Sequence, residues 1–324
     1  MIETRFTKRF GLKHPIMLAP MTPASGGALA SAVADAGGLG MIGVGYVDRA
    51  WFLDQWAKST RPDVGVGLIT WTIPEDPELL DIILERRPRA MALSFSDPGP
   101  YAQRVKDAGV ALISQVHTLE HAFRAVDVGA DVVIAQGTEA GGHGWTIQST
   151  LPFVPAVVDA LAKRAPDVPV LASGGIADGR GLAAALMLGA DGVSMGTRFW
   201  ATKESLIPEP AKRKALATIG EQTIRTSVYD IVNNRKWPPG YVPRVVRNRF
   251  VQQWHGHEQE LARVQPDEHK RVTEAWASGD FETANVTVGE SVGLVQDIPT
   301  AGELIERVVA ETTTLFKKFS HFAA

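Results

Sequence analysis

The stretch Gln136-Gly137-Thr138-Glu139-Ala140-Gly141-Gly142-His143-Gly144-Trp145 places one imidazole on a glycine-rich segment that can lie flat against a planar ligand. A histidine with an ordinary pKa of about 6.5 can serve as a general base near neutral pH. The bland alternative is a histidine that only bonds its own loop. Two more glycine-rich stretches suit an anion: Ala172-Ser173-Gly174-Gly175-Ile176 and Ser194-Met195-Gly196-Thr197-Arg198. Glycine lets backbone N–H groups come close to phosphate oxygens, and Ser173 and Thr197 add hydroxyl donors. In Leu18-Ala19-Pro20-Met21-Thr22-Pro23, Pro20 fixes a turn and Met21 offers a polarisable surface to a ring. Gln115 can donate and accept at a heterocycle edge, and Thr70 can do so through its hydroxyl.

Other candidates carry less chemistry. Gly38-Leu39-Gly40-Met41-Ile42-Gly43 has the spacing of a dinucleotide fingerprint. It follows a helical pattern and coincides with a strand, whereas the true motif follows a strand and opens a helix. These glycines are expected to ease packing. His255, His257 and His269 lack supporting metal-ligand geometry, so no metal is expected. His117 and His121 flank a strand–helix junction, where capping or a surface role is expected, the alternative being that His117 points into the mouth, and His14 falls at the bottom of the fold. Arg244, Arg247 and Arg249 near Trp237, Tyr241 and Trp254 are expected to bind carboxylates inside a cap or on a partner subunit.

The elements that must position these residues are legible from periodicity. Short apolar runs at Ile16–Ala19, Leu39–Val44, Val64–Thr70, Ala90–Phe95, Ala111–Val116, Val132–Gln136, Val168–Ala172 and Gly192–Met195 suit strands buried on both faces. Amphipathic or alanine-rich stretches separate them, with glycine at their ends. Such alternation implies parallel βαβ units, and eight of them imply a closed (β/α)8 TIM barrel, an open doubly wound sheet being the alternative. Both phosphate-type turns then follow the seventh and eighth strands, the usual phosphate position in such barrels. After Phe199 the texture changes to a mostly helical cap, with helices expected near Ala211–Ile219 and Phe250–Val264 and no obvious strand. Thr300-x-x-Glu303 is a capping box ahead of Leu304, Ile305, Val308 and Val309, so a final helix should return to the barrel. The expected division is 1–199 with 285–324 as barrel and 200–284 as cap.

Composition sets outer limits. The 324 residues include no Cys, which excludes disulfides, thiolate metal sites and a cysteine nucleophile. A net charge of −3 leaves no electrostatic footprint for nucleic acid. A hydrophobic fraction of 45% fills a large core without any run long enough for a membrane helix, so a cytoplasmic protein is expected.

Across Ala19-Pro20-Met21, Gln136 to His143, Ala172 to Ile176, Met195-Gly196-Thr197-Arg198-Phe199 and Val288-Gly289-Glu290-Ser291-Val292-Gly293-Leu294, the chain resembles the nitronate monooxygenase family. The resemblance implies an FMN-dependent barrel that oxidises alkyl nitronates with O2 to carbonyl compounds and nitrite. It implies His143 as the base, and Ser173, Gly174, Gly175, Gly196 and Thr197 as the FMN phosphate site. Ala19, Pro20, Met21, Thr22 and Gln115 would line the isoalloxazine, with Gly137 and Gly142 bordering it. The same blocks resemble NAD(P)H-dependent FMN reductases of quinones or enoyl thioesters, and Gln115 stands where some of those are expected to carry Lys. A flavin-free sugar-phosphate isomerase or lyase, or a non-catalytic flavin binder, remains open at this point. The expected partners are a small-molecule substrate and O2, with a homodimer left open.

Overall fold

In the computed structural model, which describes residues 2–320, a parallel sheet closes on itself. Its strands are β1 (Ile16–Leu18), β2 (Met41–Val44), β3 (Gly65–Ile69), β4 (Ala90–Ser94), β5 (Ala111–Val116) and β6 (Val132–Gln136). After a short strand outside the barrel, β7 (Gly142–Gly144), come β8 (Val170–Ser173) and β9 (Gly192–Met195). The hydrogen-bonded order is β1-β9-β8-β6-β5-β4-β3-β2. A parallel bridge between Met17 and Leu39 joins the two ends: Leu18 N–H donates to the Leu39 carbonyl, and Leu39 N–H to the Ile16 carbonyl, both at 2.9 Å. The chain is therefore the expected TIM barrel, with strand limits within two residues of those read from the sequence.

The strands are buried almost throughout, because the barrel interior takes one face and the surrounding helices the other. Helix Pro77–Glu85 shows the pattern: Pro77 opens it and Leu79, Leu80, Ile83 and Leu84 face inward. Helix ends are turned by Gly37, Gly109, Gly129 and Gly189, each at positive φ, which L side chains resist. The last helix, Ala301–Phe319, begins with the expected capping box on Thr300 and Glu303, worth about 1 kcal/mol. It packs on helices Gly179–Met187 and Gly27–Asp35 through Leu304, Ile305 and Val308. The glycines around β2 ease packing as expected. A Cβ on Gly40 would fall 1.9 Å from the Ala30 carbonyl, and one on Gly43 would fall 2.4 Å from the Met21 nitrogen.

The region after Trp200 departs from expectation in two places. Besides helices Glu209–Leu216, Val228–Val232 and Gln265–Ser278, it contains strands β10 (Thr223–Arg225) and β11 (Val242–Val246). These pair antiparallel, and β11 also pairs with β7, so Pro243 lies opposite His143. Three residues are too few to show periodicity, and Pro243 argues locally against a strand interior. The single helix expected over Phe250–Val264 is two, Arg249–Trp254 and Glu258–Arg263, interrupted where Gly256 takes φ 88°. Among the described residues no helix is long and apolar enough to cross a membrane. Residue 1 and residues 321–324, the outer limits of the expected barrel segments, lie outside the described residues.

Candidate active site at the barrel mouth

A cavity of about 370 Å³ opens at the C-terminal ends of the strands. Ala19, Pro20, Met21, Thr22, Gln115, Gly142, His143, Ser173, Gly174, Gly175, Gly196 and Thr197 all line it. Two expected residues lie outside that wall. Thr70 is fully buried in the turn after β3, and its hydroxyl has no hydrogen-bond partner. Gly137 is instead a close-packing position, since a Cβ there would fall 2.3 Å from the Thr150 nitrogen. Glu139 reaches the same spot, accepting hydrogen bonds from Thr150 N–H and hydroxyl at 2.9 Å and so capping helix Thr150–Arg164.

On one side the wall is backbone. Gly174 and Gly175 follow β8 at φ 107° and 74°, and a Cβ on Gly174 would meet the Thr150 hydroxyl at 2.9 Å. The N–H groups of Gly175 and Ile176 have no partner among the described residues. Unpaired donors on a turn of this shape form a concavity suited to phosphate. Beside it, Thr197 accepts a hydrogen bond from Gly289 N–H at 2.8 Å, which leaves its own proton free to donate. Gly289 must lack a side chain because a Cβ would fall 2.6 Å from the Glu139 carbonyl. Pro20 and Met21 come inward over the barrel because glycine lies beneath them. A Cβ on Gly67 would fall 2.4 Å from the Pro20 ring, matching the clash already noted for Gly43. Together these features fit a phosphorylated planar cofactor.

The opposite side is built of rings. His143 stacks on Trp237 with centroids 3.4 Å apart and planes 8° apart, and Phe95 meets both edge-on. Trp237 Nε1–H donates to the Tyr46 hydroxyl at 3.2 Å. His143 Nε2 lies 3.0 Å from both carboxylate oxygens of Asp230, which is only 8% exposed on helix Val228–Val232. Donation to the carboxylate assigns the proton to Nε2 and leaves Nδ1 as the basic nitrogen. Burial holds the His143 pKa below its ordinary value, opposed by Asp230 and assisted by the positive charge of Arg225. The imidazole is thus neutral near pH 7 and able to accept a proton.

Behind this layer, the Gln136 side-chain oxygen accepts from His117 Nε2–H at 2.6 Å and from the Gln115 amide at 3.2 Å. His117 is neither a cap nor a surface residue, as it is 3% exposed and Thr118 supplies the cap of the following helix. Burial pushes its pKa down to about 4.

Sequence reasoning missed Asp230 and passed over Trp237 as a site residue. Neither lies in a motif, and Asp230 is 87 positions from the histidine it orients. Arg244 pairs with Glu290 at 2.7 Å, a carboxylate of the segment assigned to the barrel rather than the cap. Arg249 comes within 4.0 Å of Glu282 in the cap, and Arg247 forms no ion pair among the described residues. Among the described residues no cluster could hold a metal ion. His255 instead meets the Thr226 hydroxyl at 3.1 Å.

The family model for nitronate monooxygenase matches residues 48–311. A nitronate monooxygenase of Neurospora crassa is 34% identical, the match covering 96% of this chain and 93% of that protein. A (3aS,4S,5R,7aS)-5-hydroxy-7a-methyl-1-oxo-octahydro-1H-indene-4-carboxyl-CoA dehydrogenase of Rhodococcus jostii is 29% identical over 96% of each chain. Among solved structures, FabK from Thermotoga maritima superposes with a TM-score of 0.86 at 31% identity, covering 99% of this chain and 100% of that one.

Proposed function

The chain belongs to the nitronate monooxygenase family of oxidoreductases, and from that premise we propose that it binds FMN and oxidises alkyl nitronates with O2 to carbonyl compounds and nitrite. Ser173, Gly174, Gly175, Gly196 and Thr197 would hold the phosphate. Ala19, Pro20, Met21, Thr22, Gln115 and Gly142 would border the ring. When bound, the flavin supplies the electron-transfer chemistry. The chain supplies the proton chemistry and the enclosure. His143 Nδ1 takes the proton next to the nitro group of a neutral nitroalkane, while Asp230 fixes the tautomer and steadies the imidazolium that forms. Trp237 and Phe95 cover the imidazole and keep water from it.

The observation that carries this reading is a carboxylate-oriented imidazole in the same cavity as the glycine turns after β8 and β9. An absorption spectrum followed by anaerobic titration tests it. The protein should purify yellow and bleach with a nitronate but not with NADH. A colourless protein, or one bleached by NADH alone, refutes it. The second outcome would favour an NAD(P)H-dependent reductase of quinones or enoyl thioesters, a reading that draws on the carboxyl-CoA dehydrogenase among the relatives.

A further inference from the structure

We infer that Arg225 is the positioning residue of the His143 loop, its guanidinium gathering the loop's alternate carbonyls so that the imidazole is presented to the cavity. The inference rests on the reading of His143 as the base and extends it to a residue outside the cavity wall.

Arg225 ends β10, in register with Arg244 of β11, which is in turn in register with Gly142 of β7. Its Nη2 donates to the carbonyls of Thr138 at 2.9 Å and Ala140 at 3.2 Å. Its Nη1 donates to Gly142 at 3.3 Å, to Gly144 at 3.4 Å and to Val242. Every second carbonyl from Thr138 to Gly144 therefore turns toward one cation, and His143 sits between the last two. A segment with Gly137, Gly141, Gly142 and Gly144 has few side chains to pin it and loses much backbone entropy on ordering. The two Nη groups of a planar fork can order it where a lysine, with one ammonium, cannot, although Nε of Arg225 is buried without a partner.

The charge environment marks Arg225 as devoted to this loop. Among the described residues it forms no ion pair with a carboxylate. The neighbouring charges are Arg244, Glu290 and Glu139. Glu290 is paired with Arg244 and Glu139 is bonded by Thr150, so both acids favour the charged guanidinium from a distance and neither bonds it directly. Arg244 adds two donors to the Thr138 carbonyl, at 3.1 and 3.3 Å. Burying a cation that no carboxylate touches is costly, and carbonyl dipoles help offset it here. Burial lowers the Arg225 pKa to about 10, so the group stays charged at neutral pH. The charged groups acting on His143 are then Asp230 from the cap helix and Arg225 through the small sheet, while Trp237 and Phe95 cover it with rings.

Two variants of the holoenzyme separate geometry from charge. Arg225→Lys keeps the charge and loses the fork; Arg225→Gln loses both. Hydrogen exchange of amides 138–144 should quicken about tenfold or more in both, the loss expected when charge-assisted bonds are removed. The NMR titration midpoint of His143 should rise in Arg225→Gln and stay near wild type in Arg225→Lys. With flavin content preserved, kcat should fall about 10²-fold in both while KM changes little, as for a misplaced catalytic group. Wild-type exchange and kcat in Arg225→Lys would overturn the assignment, as would an unmoved midpoint in Arg225→Gln. Should Arg225→Gln fail to fold, the exchange rates of Arg225→Lys decide alone. A parent protein without nitronate activity whose variants still show faster loop exchange would refute the proposed reaction and uphold the positioning role.

Discussion

Around the barrel mouth, the turns after β8 and β9 present backbone to the cavity, whereas the loops after β2, β4 and β6 present rings. On the backbone side, the positive-φ glycines and unpaired N–H groups of the turn after β8 are made within a few residues, while Thr197 after β9 is tied to Gly289. The ring side is completed by the cap. Trp237 stacks on His143, Asp230 orients it, and β11 pairs with the strand that carries it. Under the proposed function the contrast separates two tasks, a phosphate held by main chain and a proton steered by side chains assembled from distant segments.

Variants can break this division, beginning with the largest effect expected. His143→Ala should remain yellow and lose about 10³-fold in kcat on neutral nitroalkanes, with a smaller loss on preformed nitronates. Equal losses on both substrates would leave His143 only a binding role. Gly174→Val, on the backbone side, should weaken FMN binding about 10²-fold, since positive φ and the Thr150 hydroxyl both oppose a side chain. Equilibrium dialysis measures this, and full occupancy would move the phosphate elsewhere. Asp230→Asn should cost about 10–10²-fold in kcat, the worth of a hydrogen bond to a charged group. Asp230 raises the His143 pKa, so its loss should carry the acid limb of the kcat profile to lower pH. A limb displaced upward would contradict the pairing.

The last effect touches stability rather than activity and vanishes at neutral pH. His117 has a folded pKa of about 4 against about 6.5 unfolded, so below pH 6.5 the unfolded chain binds a proton that the folded one refuses. Stability should therefore fall as pH drops from about 6.5 to 4, by on the order of 3 kcal/mol from this residue. His14, His121 and His143 act in the same direction. Urea titrations of wild type and His117→Asn at several pH values measure the slope, which should be shallower in the variant. An unchanged slope would mean that His117 is protonated in its buried site.

The barrel strands were readable because residues buried on both faces form uninterrupted apolar runs, and the final helix because Thr300 and Glu303 are three residues apart. The small sheet was not, because β7 and β10 have three residues each and β11 contains Pro243. Thr70 was expected at the mouth for its place at a strand end, but the chain turns there and buries the hydroxyl.

The sequence alone determined the barrel, the glycine turns after β8 and β9, and the presence of one imidazole among glycines, since each depends on neighbours within a few positions. Tertiary structure alone decided which nitrogen of His143 is basic, what covers its ring, and that Arg225 gathers its loop. Those outcomes depend on residues up to 94 positions away, brought together by a cap whose placement no local pattern encodes.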